Sequence, residues 1–145
     1  MEIYGKKISK DSPTYFIAEI GSNFDGDIKR AISLIKIAAQ SDADAVKFQH
    51  YTANSLVSDR GFNALRNDNK THQSNWKKSV SETYDDASLN AEWTGKLSEA
   101  AHNEGLAFIT SPYSHELVEY TEPYVDAYKI GSGDITFHSI IKKIL

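Results

Sequence analysis

Residues 42–52, DADAVKFQHYT, have the composition of a buried strand but include a lysine and a glutamine. Side chains alternate between the two faces of a strand, so Val46 and Phe48 share one face while Lys47 and Gln49 share the other. Burial of an unpaired ammonium group costs several kcal/mol. The lysine face of this strand must therefore meet a group that compensates the positive charge.

Strand-like and helix-like segments alternate along the rest of the chain. Strands are predicted at 14–21, 43–49, 106–111 and 127–134, and helices at 28–41, at 89–104, within 115–125 and from 137 onward. This order predicts a parallel sheet with right-handed crossovers. Two α/β architectures fit it, a small doubly wound open sheet and the first half of a (β/α)₈ barrel. Length alone favours the open sheet, because a whole barrel needs about 250 residues.

Two segments stand outside this alternation. The N-terminal MEIYGKKIS alternates apolar and polar residues around Gly5, which predicts a short hairpin or an edge strand. Residues 50–88 are polar and weakly periodic, with one short helix predicted from about Trp76 to Tyr84. A segment of this length between a strand and a helix is typical of a lid or a binding loop.

The composition excludes several function classes. The 145 residues carry a formal net charge of -4, so there is no general basic field for nucleic acid. The absence of cysteine excludes disulfides and thiolate chemistry. The N-terminus has no apolar core of a signal peptide, and no apolar run approaches the length of a membrane span. We expect a cytoplasmic protein that binds neither nucleic acid nor membranes.

Polar side chains gather at the C-terminal ends of all four predicted strands, the edge at which parallel α/β folds place their sites. The candidates in chain order are Glu19, Lys47, Gln49, Thr110, Ser111, Lys129, Ser132 and Asp134. Two lysines, several hydroxyls and the N–H groups of a glycine-rich turn would bind a phosphate or a carboxylate. Glu19 would act as an acid or base, or would hold a substrate hydroxyl. The pattern predicts a site for a small molecule with two or three negative charges.

Other interpretations of these residues stay open at this point. Lys47 and Glu19 could form a purely structural ion pair, and Lys129 could be a surface side chain if the fourth strand is an edge. The chain has no P-loop and no complete dinucleotide-binding motif. Its five histidines lack metal-ligand spacing, and His50, directly after the second strand, is the one whose position favours proximity to the site.

Four motifs together resemble the N-terminal half of the sialic acid synthase family. They are IAEIGSNFDGD, ADAVKFQ, FITSPY and YKIGSGDIT, in the order and spacing of that family, and the resemblance runs from about Tyr15 to Leu145. It implies a TIM barrel followed by a small antifreeze-like domain. It also implies a reaction in which phosphoenolpyruvate condenses with an N-acylmannosamine-type sugar to a nine-carbon sugar acid, with release of phosphate.

The resemblance also implies roles for individual residues. Residues in contact with phosphoenolpyruvate would be Lys47, Thr110, Lys129 and Ser132, with Ser111 as a further substrate-binding residue. Glu19 and Gln49 would contact the sugar, and Asp134 would lie near the reacting centre. Glu19 and Asp134 are therefore the candidate catalytic residues.

This sequence departs from the family pattern in three ways. Phe24 stands where many members have histidine, and Asp42 must take the left-handed, helix-ending position that glycine usually fills. The third departure is length, since the later barrel strands and the antifreeze-like domain are missing. Two histidines on those strands bind the divalent metal of the family, Mn²⁺ or Mg²⁺. We therefore expect residues 1–145 to hold about the first four βα units of an incomplete barrel, inactive alone, with the full-length form a homodimer.

Two competing functions remain open from the sequence. A Schiff-base aldolase barrel would use Lys47 or Lys129 as the nucleophile. A non-catalytic open-sheet domain would bind a phosphorylated small molecule or partner without turning it over.

Overall fold

A computed structural model describes residues 1–65 and 76–145 of the chain. It begins with an antiparallel hairpin of strands β1 (Glu2–Ile3) and β2 (Lys6–Lys7). The turn residues Tyr4 and Gly5 both have positive φ, 47° and 74°. Two consecutive positive φ values give the turn whose twist matches that of the flanking strands. The predicted hairpin is confirmed.

The main body alternates strands and helices as predicted. Its strands are β3 (Ile17–Gly21), β4 (Ala45–His50), β5 (Ala107–Pro112) and β6 (Ala127–Tyr128). Its helices are α1 (Ile28–Gln40), α2 (Ala53–Leu56), α3 (Asp59–Leu65), α4 (Val80–Asp86), α5 (Thr94–Asn103), α6 (His115–Thr121) and α7 (His138–Ile144). Strands β3 to β6 form one parallel sheet in sequential order, so the α/β fold is as predicted.

The sheet separates two buried layers. The face toward the helices holds the larger apolar cluster, in which Phe48 and Phe108 have ring centroids 5.5 Å apart. The opposite face holds a smaller cluster of Ala45, Ala107 and Ile109. Lys47 pairs in register with Glu19 on one side and Ile109 on the other, so it lies on the second face. This side of the sheet is where the interior of a barrel would lie.

Several boundaries differ from the predicted ones. The fourth strand ends at Tyr128, and the glycine-rich stretch continues into a 3₁₀ turn at Ser132–Asp134. Gly131 and Gly133 carry no side chain that could pack against a neighbouring strand. The short helix predicted near Trp76 to Tyr84 is α4, which begins later because Ser79 and Glu82 form a capping box. Residues 66–75 of the long insertion lie outside the described residues.

Helix α1 ends as the sequence predicted. Asp42 has a φ of 56°, the left-handed conformation expected at this position. Phe24, the other departure from the family pattern, is fully buried and packs against Phe48 and Trp93. Its aromatic ring is therefore part of the apolar core between the sheet and the helices.

Asp44 joins the hairpin to the N-terminal end of the sheet. Its carboxylate accepts hydrogen bonds from Lys6 Nζ and from the Phe16 backbone N–H, each at 2.6 Å. Both hydrogen bonds lower the pKa of Asp44 below its ordinary value, and the bond from Lys6 has the larger effect. Because this pKa is lowered, the two interactions of Asp44 stabilise the fold at pH values above the ordinary pKa of an aspartate. The stabilisation is lost as the pH falls through the pKa that Asp44 has in the folded protein.

We expect Asp44→Asn to lower the free energy of unfolding by about 1–2 kcal/mol at pH 7, because an amide loses the ion pair and keeps only one acceptor oxygen. Urea unfolding at pH 7 and at pH 3 would measure the change, which should shrink at the lower pH. Asp11→Asn is the matched control, since Asp11 is exposed and makes no hydrogen bond among the described residues. Equal effects of the two substitutions would contradict a structural role for Asp44.

Candidate active site

The side chain of Lys47 is buried at the C-terminal half of the sheet and has a carboxylate partner. The residue is 4% exposed, and its Nζ lies 2.7 Å from Oε2 of Glu19. The Glu19 side chain is 54% exposed. The ion pair considered from the sequence is therefore present, and its carboxylate end opens to solvent. A lysine held this way has further N–H donors that a ligand can use.

Gln49 and Ser111 lie on the same face, one step further toward the strand ends. They are register partners on β4 and β5. Ser111 is buried, and its Oγ has no hydrogen-bond partner among the described residues. A buried polar atom without a partner is uncommon in a folded protein. The unpaired hydroxyl indicates a place where a ligand oxygen or a water molecule completes the site.

Thr110 lies on the other face of β5 and does not join this group. It pairs in register with Phe48, is fully buried, and has its hydroxyl 2.7 Å from Nδ1 of His50. The expectation that Thr110 contacts phosphoenolpyruvate does not fit this position. Strand alternation places Ser111, the next residue, on the face of Lys47 and Gln49 instead.

His50 has a role that the sequence did not reveal. Its Nε2 lies 2.8 Å from the Thr94 hydroxyl, which itself donates to the Ala91 carbonyl at 2.6 Å. The Thr110 hydroxyl likewise lies 3.2 Å from the Phe48 carbonyl. A neutral ring carries one N–H, which donates to one of the two threonine hydroxyls, while the other ring nitrogen accepts from the second. Burial lowers the pKa of His50 to about 4, so the ring is neutral at pH 7. This network connects the start of α5 to β4 and β5, the two strands that carry Gln49 and Ser111.

The fourth strand brings three further candidates to the same edge. The Lys129 backbone N–H donates to the Thr110 carbonyl at 2.9 Å, and its side chain is exposed without an ion pair among the described residues. Ser132 and Asp134 lie in the 3₁₀ turn. A Cβ built on Gly131 would lie 2.4 Å from Oδ2 of Asp134, so the carboxylate occupies the space beside this glycine.

Two tyrosines at the strand ends, and a third on α4 that packs against them, were also missed from the sequence. Tyr51 and Tyr113 follow β4 and β5, and their rings make an edge contact at 6.1 Å. Tyr51 also packs edge-on against Tyr84 of α4 at 5.9 Å, and its hydroxyl lies 3.1 Å from the Ser22 hydroxyl. A signal was available for Tyr51 and Tyr113, because each stands two residues after a predicted site residue, Gln49 or Ser111. We call Tyr51, Tyr84 and Tyr113 the tyrosine cluster.

The described residues offer no metal site by themselves. Across residues 1–65 and 76–145, no three His, Asp or Glu side chains lie close enough together to hold a metal ion. The same part of the chain contains no helix that is long and apolar enough to cross a membrane.

Comparisons with known proteins agree with the resemblance of the motifs. The model of the NeuB family matches residues 34–145. A pseudaminic acid synthase of Campylobacter jejuni is 32% identical over 136 residues, which are 92% of this chain and 38% of that protein. An N,N'-diacetyllegionaminic acid synthase of Legionella pneumophila is 33% identical over 137 residues, with coverages of 93% and 38%.

Solved structures show the same fold. The spore coat polysaccharide biosynthesis protein SpsE of Bacillus subtilis matches with a TM-score of 0.71 and 27% identity, covering 99% of this chain and 36% of that one. An N-acetylneuraminic acid synthetase from Leptospira borgpetersenii matches with a TM-score of 0.70 at 22% identity, over 91% of this chain and 41% of that one. The chain thus spans well under half the length of these relatives. The family match over most of its residues, together with the strand-end motifs, establishes that the chain belongs to the NeuB family, as its sequence predicted.

Proposed function

We propose that this chain supplies the N-terminal part of the active site of a nonulosonic acid synthase, within a (β/α)₈ barrel. The reaction would join phosphoenolpyruvate to an N-acylated hexosamine-type sugar and release phosphate. The observation that carries this proposal is the buried Lys47. Its only ion-pair partner among the described residues is the carboxylate of Glu19, which is half exposed near the C-terminal ends of the parallel strands. Relatives named as pseudaminic and legionaminic acid synthases support it.

The anionic substrate would bind between the strand ends. Lys47 and Lys129 would neutralise its phosphate and carboxylate groups, and the unpaired Ser111 hydroxyl would contact one of its oxygens. Gln49 has both donor and acceptor atoms for the sugar hydroxyls. These assignments keep Ser132 as a contact of phosphoenolpyruvate and leave Thr110 outside the direct contacts.

Glu19 and Asp134 would carry the acid–base chemistry. C3 of the enolpyruvate attacks the aldehyde carbon of the open-chain sugar, and the aldehyde oxygen gains negative charge. Water adds at C2 with loss of a proton to a carboxylate, and phosphate then leaves from C2. Glu19 is solvent-accessible next to Lys47, and Asp134 stands on the neighbouring turn, so either carboxylate can position that water.

A divalent metal, Mn²⁺ or Mg²⁺, is expected for the full-length enzyme, as the family resemblance implies. When bound, it would polarise the aldehyde oxygen. A homodimer of the full-length form and a cytoplasmic location remain predictions from the sequence.

The test is phosphate release from phosphoenolpyruvate and N-acetylmannosamine or a related N-acylated sugar. We expect release by the full polypeptide that contains residues 1–145 and none by the 145 residues alone. Within the described residues, β3 and β6 are edge strands, and each pairs with one neighbouring strand only. The site of the isolated chain therefore stays open to water. Borohydride trapping of a carbonyl substrate on a lysine would instead support the Schiff-base aldolase and contradict this proposal.

Gly131→Ala should displace the Asp134 carboxylate, because the new Cβ would lie only 2.4 Å from its Oδ2. We expect kcat of the full polypeptide to fall by about tenfold or more, since small misplacements of a reacting group are costly. The unfolding temperature should change little, because the short Asp134 side chain can rotate away. Gly133→Ala is the matched control, with no atom within 4 Å of its Cβ. Unchanged kcat in Gly131→Ala would argue against a catalytic role for Asp134.

A further inference from the structure

Tyr113 stands on the substrate-facing side of the sheet, although it lies just past the end of β5. Its backbone N–H donates to the His50 carbonyl at 3.0 Å, which continues the parallel ladder by one step. Side-chain alternation from Ile109 through Ser111 therefore places Tyr113 on the face that carries Lys47 and Gln49. The position is fixed by backbone hydrogen bonding and by the tyrosine cluster.

The Tyr113 hydroxyl lies near the Asp134 carboxylate, on the face of the sheet that also carries Glu19. It is 3.5 Å from the point that a Cβ on Gly131 would occupy, and Oδ2 of Asp134 is 2.4 Å from that same point. Burial raises the pKa of Tyr113, and the charges of Asp134 and then Glu19 raise it further. The phenol is thus a neutral donor throughout the physiological pH range.

This donor is not used within the described part of the chain. The Tyr113 hydroxyl makes no hydrogen bond to residues 1–65 or 76–145, whereas the Tyr128 hydroxyl donates to the Val118 carbonyl at 2.9 Å. The Tyr113 ring is meanwhile held edge-on by Tyr51, which is held in turn by Tyr84. A ring packed in this way, with an unused hydroxyl near the Asp134 carboxylate, is arranged for a ligand oxygen.

We propose that Tyr113 is a further substrate-binding residue, whose hydroxyl donates a hydrogen bond to the carbonyl oxygen of the sugar aldehyde. This inference rests on the proposed synthase function. The aldehyde oxygen gains negative charge as the carbon–carbon bond forms, so a preorganised donor stabilises the transition state more than the bound sugar. The tyrosine cluster also gives the 50–88 segment a role, since Tyr84 of that segment fixes the orientation of Tyr113 through Tyr51.

The experiment compares Tyr113→Phe and Tyr128→Phe in the full polypeptide that contains residues 1–145. Each substitution removes one phenol hydroxyl and keeps the ring, so packing is preserved. Steady-state phosphate release, with phosphoenolpyruvate and N-acetylmannosamine varied in turn, gives kcat and both KM values. For Tyr113→Phe we expect kcat to fall about tenfold or more with the KM for phosphoenolpyruvate unchanged. Tyr128→Phe should keep the wild-type kcat.

Thermal unfolding of both variants identifies any general loss of structure. A kcat of Tyr113→Phe within twofold of wild type overturns the inference, and so does an equal loss in Tyr128→Phe. A loss confined to the KM for phosphoenolpyruvate would also overturn it, because the hydroxyl would then contact the other substrate. In each of these cases the proposed function still stands, because the wild-type polypeptide releases phosphate. Absence of phosphate release by the wild-type polypeptide would instead overturn the proposed function and this inference together.

Discussion

Lys47→Met should weaken the binding of phosphoenolpyruvate to the full polypeptide by at least about a hundredfold. Removal of one member of a buried, hydrogen-bonded charge pair at a binding site typically costs about 2–5 kcal/mol. Lys47 is 4% exposed, so water cannot replace its ammonium group as the partner of the substrate phosphate. Isothermal titration calorimetry with phosphoenolpyruvate alone measures the effect without requiring turnover.

The same substitution should leave the folded state nearly as stable as before. Methionine has a similar length and is flexible enough to fill the space of the lysine chain. The Glu19 carboxylate that loses its partner is 54% exposed and stays hydrated. Removal of one partner of an ion pair is costly mainly when the remaining charge is left buried, and the Glu19 carboxylate is not. We expect the free energy of unfolding to change by no more than about 1 kcal/mol.

Lys143→Met is the matched control for this experiment. Lys143 also pairs with a glutamate, Glu119, but the pair is exposed and joins α6 to α7. The control should bind phosphoenolpyruvate like the wild type. If Lys47→Met also binds with wild-type affinity, the Lys47–Glu19 pair is purely structural, which is the alternative that the sequence left open.

The burial of Lys47 and its face of the sheet could be predicted because β4 has a clear alternating pattern. Val46 and Phe48 pack in the helix-side core, and Lys47 points to the other side, as the order of residues indicated. The strand β5 has no such pattern. All six of its residues are buried, so both faces of this strand are enclosed. Without a polar face to mark its orientation, the sequence could not distinguish Thr110 from Ser111 as the residue on the face of Lys47 and Gln49.

Contacts between distant residues of the chain were also beyond prediction from a single sequence. The Thr94 hydroxyl reaches His50 across 44 positions, and Thr110 reaches it across 60. Tyr84 belongs to a short helix that the sequence predicted, but nothing in the sequence indicated that its ring packs against Tyr51 at the strand ends. Strand-end motifs locate the edge of the sheet where a site lies. They do not show which neighbouring side chains hold those motifs in place.

The stability of the fold should fall as the pH decreases from about 6.5 to about 4, because His50 is buried as a neutral ring. Burial lowers its pKa from an ordinary 6.5 to about 4. Between these values the unfolded chain binds a proton that the folded chain does not, and stability is therefore lost as the pH falls. At about 1.4 kcal/mol for each pH unit, His50 accounts for a loss of about 3 kcal/mol. Below about pH 4 both states are protonated, and the contribution of His50 to the slope ends.

His50→Gln isolates this contribution from the other titrating groups. Glutamine has one donor and one acceptor group for the two threonine hydroxyls, but it cannot take up a proton. We expect the variant to be less stable at pH 7.5 and to lose about 3 kcal/mol less than the wild type between pH 6.5 and pH 4. Urea unfolding at four pH values in this range measures both slopes. His138→Gln, at an exposed histidine, is the control and should keep the wild-type slope. Parallel slopes for wild type and His50→Gln would mean that the folded protein accepts a charged His50. The Thr94–His50–Thr110 network would then hold a protonated ring, with both ring nitrogens donating to the threonine hydroxyls.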